Sequence, residues 1–122
     1  MKLFDSNIII YAAKDEYAHL RTLLLLPDAC VSVVSKVEVL GYHQLSETER
    51  LFFESIFDTV PLLPIDQNVI DIAVMLKQKR KYSLGDALIA ATTLLYDADL
   101  HTNNFADFDK TENIRLFNPL LS

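Results

Sequence analysis

The sequence predicts an α/β fold with a central parallel sheet of about five strands and helices on both faces. Short segments rich in β-branched residues alternate with helical segments along the chain, which is typical of a parallel sheet covered by helices. One helical segment, residues 84–96, is apolar nearly all round and is therefore expected to be central and buried. No repeat, linker or low-complexity stretch interrupts the 122 residues, so we expect one domain over residues 1–122.

The individual elements follow from periodicity and from turn residues. Strands are predicted where short apolar runs are bounded by turn residues, over residues 2–5, 29–34, 59–64, 100–102 and 115–117. Helices are predicted from helical spacing of apolar residues and from capping patterns, over residues 7–13, 16–26, 35–42, from 46 onward, 66–80 and 84–96. Pro27 ends the second of these helices, and Ser46 with Glu49 forms a capping-box pattern at the start of the fourth.

Composition excludes several classes of protein. Hydrophobic residues make up 51 % of the chain and charged residues 23 %, which supports a folded core. The two glycines are too few for a phosphate-binding glycine loop, and three histidines with one cysteine offer no zinc spacing. Cys30 cannot form an internal disulfide. Neither a membrane-length apolar run nor an export signal is found, so we expect a cytoplasmic protein.

The net charge of −6 argues against broad affinity for nucleic acid unless basic residues are locally clustered. Such a cluster precedes Asp86 and consists of Lys77, Lys79, Arg80 and Lys81. One interpretation is a weak RNA-binding patch that attracts phosphates. The other is that these cations stabilise a helix C-terminus and extend into solvent.

Acidic and amide side chains follow several predicted strands. Asp5 ends the first strand, Glu38 follows the second, Asp86 begins the buried helix, and Asn104 and Asp107 follow the fourth strand. Because the carboxyl ends of parallel strands share one edge of a sheet, where ligands bind, we expect these side chains to gather there.

Helix capping is an alternative explanation for each acid taken alone. Glu38 and Asp86 each lie three residues after a serine, and Asp5 fits an Asx-turn. Crowding is costly, however, since two carboxylates about 4 Å apart repel by about 4 kcal/mol at an effective dielectric near 20. Capping contributes only about 1 kcal/mol. A bound cation explains the crowding better, and oxygen ligands favour Mg²⁺ or Mn²⁺, the metals of phosphodiester hydrolysis.

Four segments resemble the motifs of PIN domains, in the order of that family. They are residues 3–11 (LFDSNIIIY), 35–41 (SKVEVLG), 84–92 (LGDALIAAT) and 102–108 (TNNFADF). The third segment is quite specific, and together the four cover essentially the whole chain.

The PIN resemblance implies a parallel-sheet fold in which Asp5, Glu38 and Asp86 bind Mg²⁺ or Mn²⁺. Asn104 stands where many members have an aspartate, and either Asn104 or Asp107 completes the catalytic site. The resemblance further implies supporting roles for three residues: Asn7 orients Asp5 through its amide, and Ser6 and Thr102 bind phosphate or water or serve only the structure.

Small PIN proteins are mostly VapC-like toxins of type II toxin–antitoxin pairs. The resemblance therefore implies an endoribonuclease with an RNA substrate, a homodimer, and a small antitoxin as partner. Two alternatives stay open: a nuclease acting on DNA or on a structured substrate, and a non-catalytic PIN module that binds RNA or a protein partner.

Overall fold

The computed structural model describes residues 1–121 and contains a five-stranded sheet in the order β3-β2-β1-β4-β5. Every pair of neighbouring strands is parallel. The strands are β1 (Lys2–Phe4), β2 (Ala29–Ser32), β3 (Leu62–Leu63), β4 (Asp99–His101) and β5 (Arg115–Phe117). The predicted sheet is confirmed in strand number and direction.

Helices connect these strands. They are α1 (Ser6–Tyr11), α2 (His19–Leu24), α3 (Val33–Leu40), α4 (Glu47–Thr59), α5 (Gln67–Lys79), α6 (Leu84–Leu95) and α7 (Phe105–Phe108). The predicted capping box at the start of α4 is present, with Ser46 and Glu49 each bonded to the other's backbone. None of the helices within residues 1–121 has the length and apolarity that a membrane crossing requires.

Several predicted boundaries are wrong, and a local hydrogen bond explains the first of them. The predicted strand 29–34 ends at Ser32, because the Ser32 side chain accepts a hydrogen bond from the Val34 amide and starts α3 at Val33. The third strand shrinks to Leu62–Leu63, because α4 continues to Thr59. The predicted helix 16–26 is a 3₁₀ turn, Asp15–Tyr17, followed by the short α2. The four-residue α7 was not predicted.

Alternation of side chains along the strands creates two cores, one on each face of the sheet. Leu3, Cys30 and Leu100 face α5, α6 and α7, whereas Phe4 and Val31 face α1 to α4. Helices therefore cover both faces, as predicted, because successive residues of a strand point to opposite sides. Residues 87–93 of α6 are all buried, which agrees with the prediction of a central helix.

The strand order reverses next to β1. The chain builds β1, β2 and β3 outward in one direction and then places β4 and β5 on the other side of β1. In open α/β sheets a cleft forms at the carboxyl ends of the strands where the order reverses. Here Asp5 directly follows β1 and Thr102 directly follows β4, and the Asp5 amide donates to the His101 carbonyl at 3.1 Å.

Candidate active site

A small cleft of about 80 Å³ lies at this carboxyl edge and contains the predicted acids. Its lining residues come from β1 and α1, from α3, from α6 and from the segment after β4, and they are Asp5, Ser6, Asn7, Glu38, Asp86, Ile89 and Asn104. We call it the acidic cleft. Helices from opposite faces of the sheet, α3 and α6, thus contribute one carboxylate each.

Asp5 is the most enclosed acid, with only 6 % of its surface exposed. It caps α1, since its Oδ1 accepts a hydrogen bond from the Ile8 amide at 3.1 Å. Burial raises the pKa of the Asp5 carboxyl from 3.8 to about 6, against the lowering effect of hydrogen bonds from Thr102 and Ile8, and the charge of Asp86 raises it further. The capping interpretation is therefore correct for Asp5, as a helix cap, but it does not account for a buried carboxylate beside a second one.

Thr102 and Asn7 both support Asp5. The Thr102 side chain is fully buried, hydrogen-bonds the Asp5 carboxyl and accepts a bond from the Asn104 amide at 3.0 Å. Asn7 contributes its backbone N–H to Asp5. Among residues 1–121 no hydrogen bond joins the Asn7 side chain to Asp5, so the predicted orienting role falls to the main chain instead.

Asp86 lies in the first turn of α6, where its amide donates to the Ser83 hydroxyl at 3.1 Å. Burial raises the pKa of the Asp86 carboxyl, the Ser83 hydrogen bond opposes this, and the charges of Asp107 and Glu38 raise it again. Two other carboxylates therefore raise the pKa of Asp86, and the charge of Asp86 in turn raises the pKa of Asp5. Asp86 is the acid that interacts electrostatically with all the others.

Glu38 lies in the second turn of α3 and is exposed. Its Oε1 accepts a hydrogen bond from Ser6 Oγ at 2.6 Å, and Ser6 Oγ is 2.9 Å from Ser35 Oγ. Ser35 is buried inside α3, so the interpretation of Ser35 and Glu38 as a capping box is wrong. Ser6 instead ties the Glu38 carboxylate to the start of α1.

Gly85 is a site residue that the sequence analysis did not single out. A β-carbon at this position would lie 2.6 Å from Glu38 Oε2. Side-chain atoms do not approach so closely, and the missing Cβ therefore allows the Glu38 carboxylate to rest against the first turn of α6. The only indication in the sequence is a glycine inside a strongly helical segment, where it costs stability.

Gly85→Ala is expected to displace the Glu38 carboxylate while leaving the fold intact. Glu38 can swing away because its side chain is flexible, and alanine favours the helix by about 0.5–1 kcal/mol over glycine. We expect unchanged or higher thermal stability, with Mg²⁺ affinity about 10-fold weaker, as for other residues that position a ligand. Isothermal titration with Mg²⁺ measures this. Glu38→Gln should give a similar loss, and adding Gly85→Ala to it should change little; additive losses would contradict the mechanism.

The two candidates for the fourth ligand, one before α7 and one within it, line different clefts. Asn104 is the residue before the first turn of α7, and its side chain lines the acidic cleft. Asp107 lines the neighbouring cleft, yet its charge still raises the pKa of Asp86.

The predicted basic residues divide into two groups. Lys77 does not line the cleft that the other three share, and its Nζ donates to the Tyr82 carbonyl at 2.8 Å. Lys79, Arg80 and Lys81 line a second cleft, of about 320 Å³, together with Tyr82, Ala106, Asp107 and Lys110. Lys110 was missed by the sequence analysis, since it lies almost thirty residues further along the chain. We call this second cleft the basic cleft.

The acidic cleft matches a hard divalent cation in the kind of ligand it offers. The side-chain oxygen atoms of its lining come from three carboxylates, two amides and one hydroxyl, and oxygen donors suit Mg²⁺ or Mn²⁺. The pKa values of Asp5 and Asp86 are raised because both carboxylates are partly buried and lie near other acidic charges, which repel them. As placed, no three His, Cys, Asp or Glu side chains within residues 1–121 form a ready-made metal site. The carboxylates would have to converge on a cation.

With this sheet and this cleft, the chain belongs to the PIN domain family, whose profile matches residues 2–113. Among solved structures, it is similar to a toxin–antitoxin complex from Klebsiella pneumoniae, with 26 % identity, a TM-score of 0.80 and 98 % of each chain covered. A DNA-bound VapBC from Salmonella typhimurium has 19 % identity, a TM-score of 0.83 and 97 % of each chain covered. FitAcB from Neisseria gonorrhoeae has 20 % identity, a TM-score of 0.80 and full coverage of both chains. No curated protein matches the sequence significantly.

Proposed function

We propose that this protein is a Mg²⁺- or Mn²⁺-dependent endoribonuclease that hydrolyses RNA phosphodiester bonds. The observation that carries the proposal is the acidic cleft itself, in which Asp5, Glu38 and Asp86 share one small space at the point where the strand order reverses. Unpaired carboxylates in such a space destabilise the fold unless a cation neutralises them. Their retention is best explained by metal-dependent chemistry.

Four side chains of the acidic cleft would hold the metal: Asp5, Glu38, Asp86 and Asn104. When bound, Mg²⁺ or Mn²⁺ supplies polarisation of a phosphoryl oxygen and a water of lowered pKa. Ser6 holds the Glu38 carboxylate, and Thr102 with the Ile8 amide holds that of Asp5. These hydrogen bonds fix two of the carboxylates in advance, which lowers the entropy cost of assembling the site.

Cleavage of total cellular RNA by the purified protein tests the proposal. We expect discrete fragments with Mg²⁺ or Mn²⁺ and none with EDTA, and the fragment ends would identify the target RNA. Absence of cleavage by folded protein that is free of any bound inhibitor would contradict it.

The fourth ligand can be tested by comparing Asn104→Ala with Asp107→Ala. Since Asn104 lines the acidic cleft and Asp107 does not, we expect Asn104→Ala to weaken Mg²⁺ binding by about 10-fold and Asp107→Ala to have the smaller effect. Mg²⁺ titration of both variants measures the difference. The reverse order would assign the role to Asp107.

The biological role that we propose is that of a VapC-like toxin in a type II toxin–antitoxin pair, acting in the cytoplasm, with a small antitoxin as partner. The similarity to structures of toxin–antitoxin complexes supports this role. Two adjacent leucines after α2 support a protein partner or a homodimer, since Leu25 is 62 % exposed and Leu26 is 40 % exposed. Growth arrest on expression, relieved by co-expression of a neighbouring small gene, would support the toxin role. Light scattering measures the oligomeric state.

A non-catalytic PIN module that binds RNA or protein is the second candidate. Two features favour it: Asn104 stands where an acid is common, and no ready-made metal site is present within residues 1–121. Mg²⁺ titration distinguishes the two candidates, because a binding module has no need of the metal.

A further inference from the structure

We infer that the basic cleft binds backbone phosphates of the RNA strand that the acidic cleft cleaves. The inference rests on the proposed function and adds where the substrate lies. Its four cations, Lys79, Arg80, Lys81 and Lys110, surround a space of about 320 Å³, enough for a phosphate group and its sugar.

The cations converge from two separate parts of the chain. Lys79 and Arg80 lie at the end of α5, and Lys110 follows α7. The C-terminus of α5 favours cations, which explains Lys79 and Arg80 without any ligand. It does not explain Lys110, because α7 has only four residues and a correspondingly weak dipole. Convergence of like charges from two elements costs free energy unless an anion occupies the space between them.

Within the part of the chain that the structure describes, none of these four cations has an acidic partner, in contrast to the other arginines of the chain. The remaining arginines are all in ion pairs, Arg21 with Asp15, Arg50 with Glu47 and Glu54, and Arg115 with Asp97 and Asp99. Within residues 1–121, no carboxylate lies within ion-pair distance of Lys79, Arg80, Lys81 or Lys110. Of the residues within 1–121 that line the basic cleft, Asp107 is the single acid beside four cations, so the cleft carries a net positive charge although the chain as a whole has a net charge of −6.

The two clefts are neighbours separated by α7. Asn104, before α7, lines the acidic cleft, whereas Ala106 and Asp107, within α7, line the basic cleft. Asn104 and Ala106 are only two residues apart in the chain, so the two clefts adjoin at the start of α7. On the other side, the segment after α5 lines the basic cleft and continues to Ser83, the cap of the helix that carries Asp86. A strand with one phosphate at the acidic cleft can therefore continue over α7 into the basic cleft.

An acidic protein segment is the competing occupant, and the position of the cleft favours RNA. Nucleic acid carries a phosphate at every residue, so a strand cut at the acidic cleft must place its next phosphates nearby, where unpaired cations stand. Lys and Arg contacts of this kind determine position without reading sequence.

Fluorescence anisotropy with a labelled 12-nucleotide oligouridine tests the inference. The measurement uses the intact protein in EDTA, which prevents cleavage, over a series of salt concentrations. We expect Lys79→Ala, Arg80→Ala and Lys110→Ala each to weaken binding and to reduce the slope of log affinity against log salt by about 0.7. All three residues are exposed, so the fold should be retained. Lys14→Ala is the matched control, since this exposed lysine lines neither cleft and should leave the slope unchanged.

The possible outcomes separate this inference from the proposed function. In Mg²⁺, the same variants should raise the KM for RNA and leave kcat within about twofold, because they bind substrate away from the reacting phosphate. Cleavage with unchanged KM and unchanged salt slope would overturn the inference and leave the nuclease intact. Binding that depends on the basic cleft without any cleavage would support the inference and contradict the nuclease. Lack of RNA binding would overturn the inference and leave the basic cleft without a ligand. If the variants bind RNA as the wild type does but bind polyglutamate more weakly, the occupant is an acidic protein segment and the inference is wrong.

Discussion

Replacing Asp86 with asparagine is expected to lower the rate of RNA cleavage by at least about 100-fold, the usual effect of removing a charge that stabilises a transition state. Asp86 is the acid on which the charges of Glu38 and Asp107 both act, and it lies at the start of the buried α6. Asparagine retains the shape of the side chain but removes the charge that binds a cation. The helix should be unaffected, because the Asp86 amide still bonds to Ser83 and an asparagine side chain can accept the Ser83 hydrogen bond that the carboxyl receives.

The rate is measured with Mg²⁺ in excess and again with Mn²⁺. Asp58→Asn is the matched control: it makes the same chemical change at an exposed acid of α4, and it should cleave RNA at the wild-type rate. Circular dichroism confirms that both variants are folded. Cleavage by Asp86→Asn at more than a tenth of the wild-type rate would remove Asp86 from the catalytic site.

Asp5→Asn is expected to abolish cleavage and, in the absence of metal, to stabilise the protein. Because burial raises the pKa of Asp5 from 3.8 to about 6, ionising it in the folded state near neutral pH costs on the order of 3 kcal/mol. Asparagine avoids that cost and can still accept the hydrogen bond from the Ile8 amide that caps α1. We expect the melting temperature in EDTA at pH 7.5 to rise by on the order of 10 °C.

The pH dependence of this stabilisation has a definite sign. An acid with a raised pKa favours the folded state fully below its unfolded value, here 3.8, and that contribution is lost as pH rises through about 6. The melting temperatures of wild type and Asp5→Asn should therefore converge near pH 4 and separate up to pH 7. Burial lowers the pKa of His101, which reduces stability below about pH 6.5 in both proteins. Because His101 affects both proteins equally, its contribution cancels when the melting temperature of wild type is subtracted from that of Asp5→Asn.

Two further measurements test the origin of the effect. Mg²⁺ should raise the melting temperature of wild type and not that of Asp5→Asn, because a cation replaces the lost proton. Asp5→Ala should gain about 1 kcal/mol less than Asp5→Asn, since alanine cannot cap α1. If Asp5→Asn is no more stable than wild type in EDTA at pH 7.5, the Asp5 carboxylate is not under strain and its role is structural.

The amino-acid sequence was enough to predict the fold class and to single out the three acids of the acidic cleft. The spacing of apolar residues and the local composition distinguish strands from helices. Because the carboxyl ends of parallel strands share one edge of the sheet, residues that follow different strands, such as Asp5 and Asn104, are expected at that edge. The capping of α4 by Ser46 and the burial of α6 could also be predicted, because each depends on residues that lie close together in the sequence.

Features that depend on contacts between distant elements became visible only in the folded protein. Ser35 is buried inside α3 with its Oγ 2.9 Å from Ser6 Oγ on α1, a contact that the spacing between Ser35 and Glu38 does not indicate. The need for Gly85 arises because Glu38 on α3 rests against α6. Lys110 joins Arg80 because α7 folds back beside the end of α5, while Lys77 turns to the Tyr82 carbonyl. The spacing of residues along the chain does not predict such contacts, since they form only when the helices pack on the two faces of the sheet.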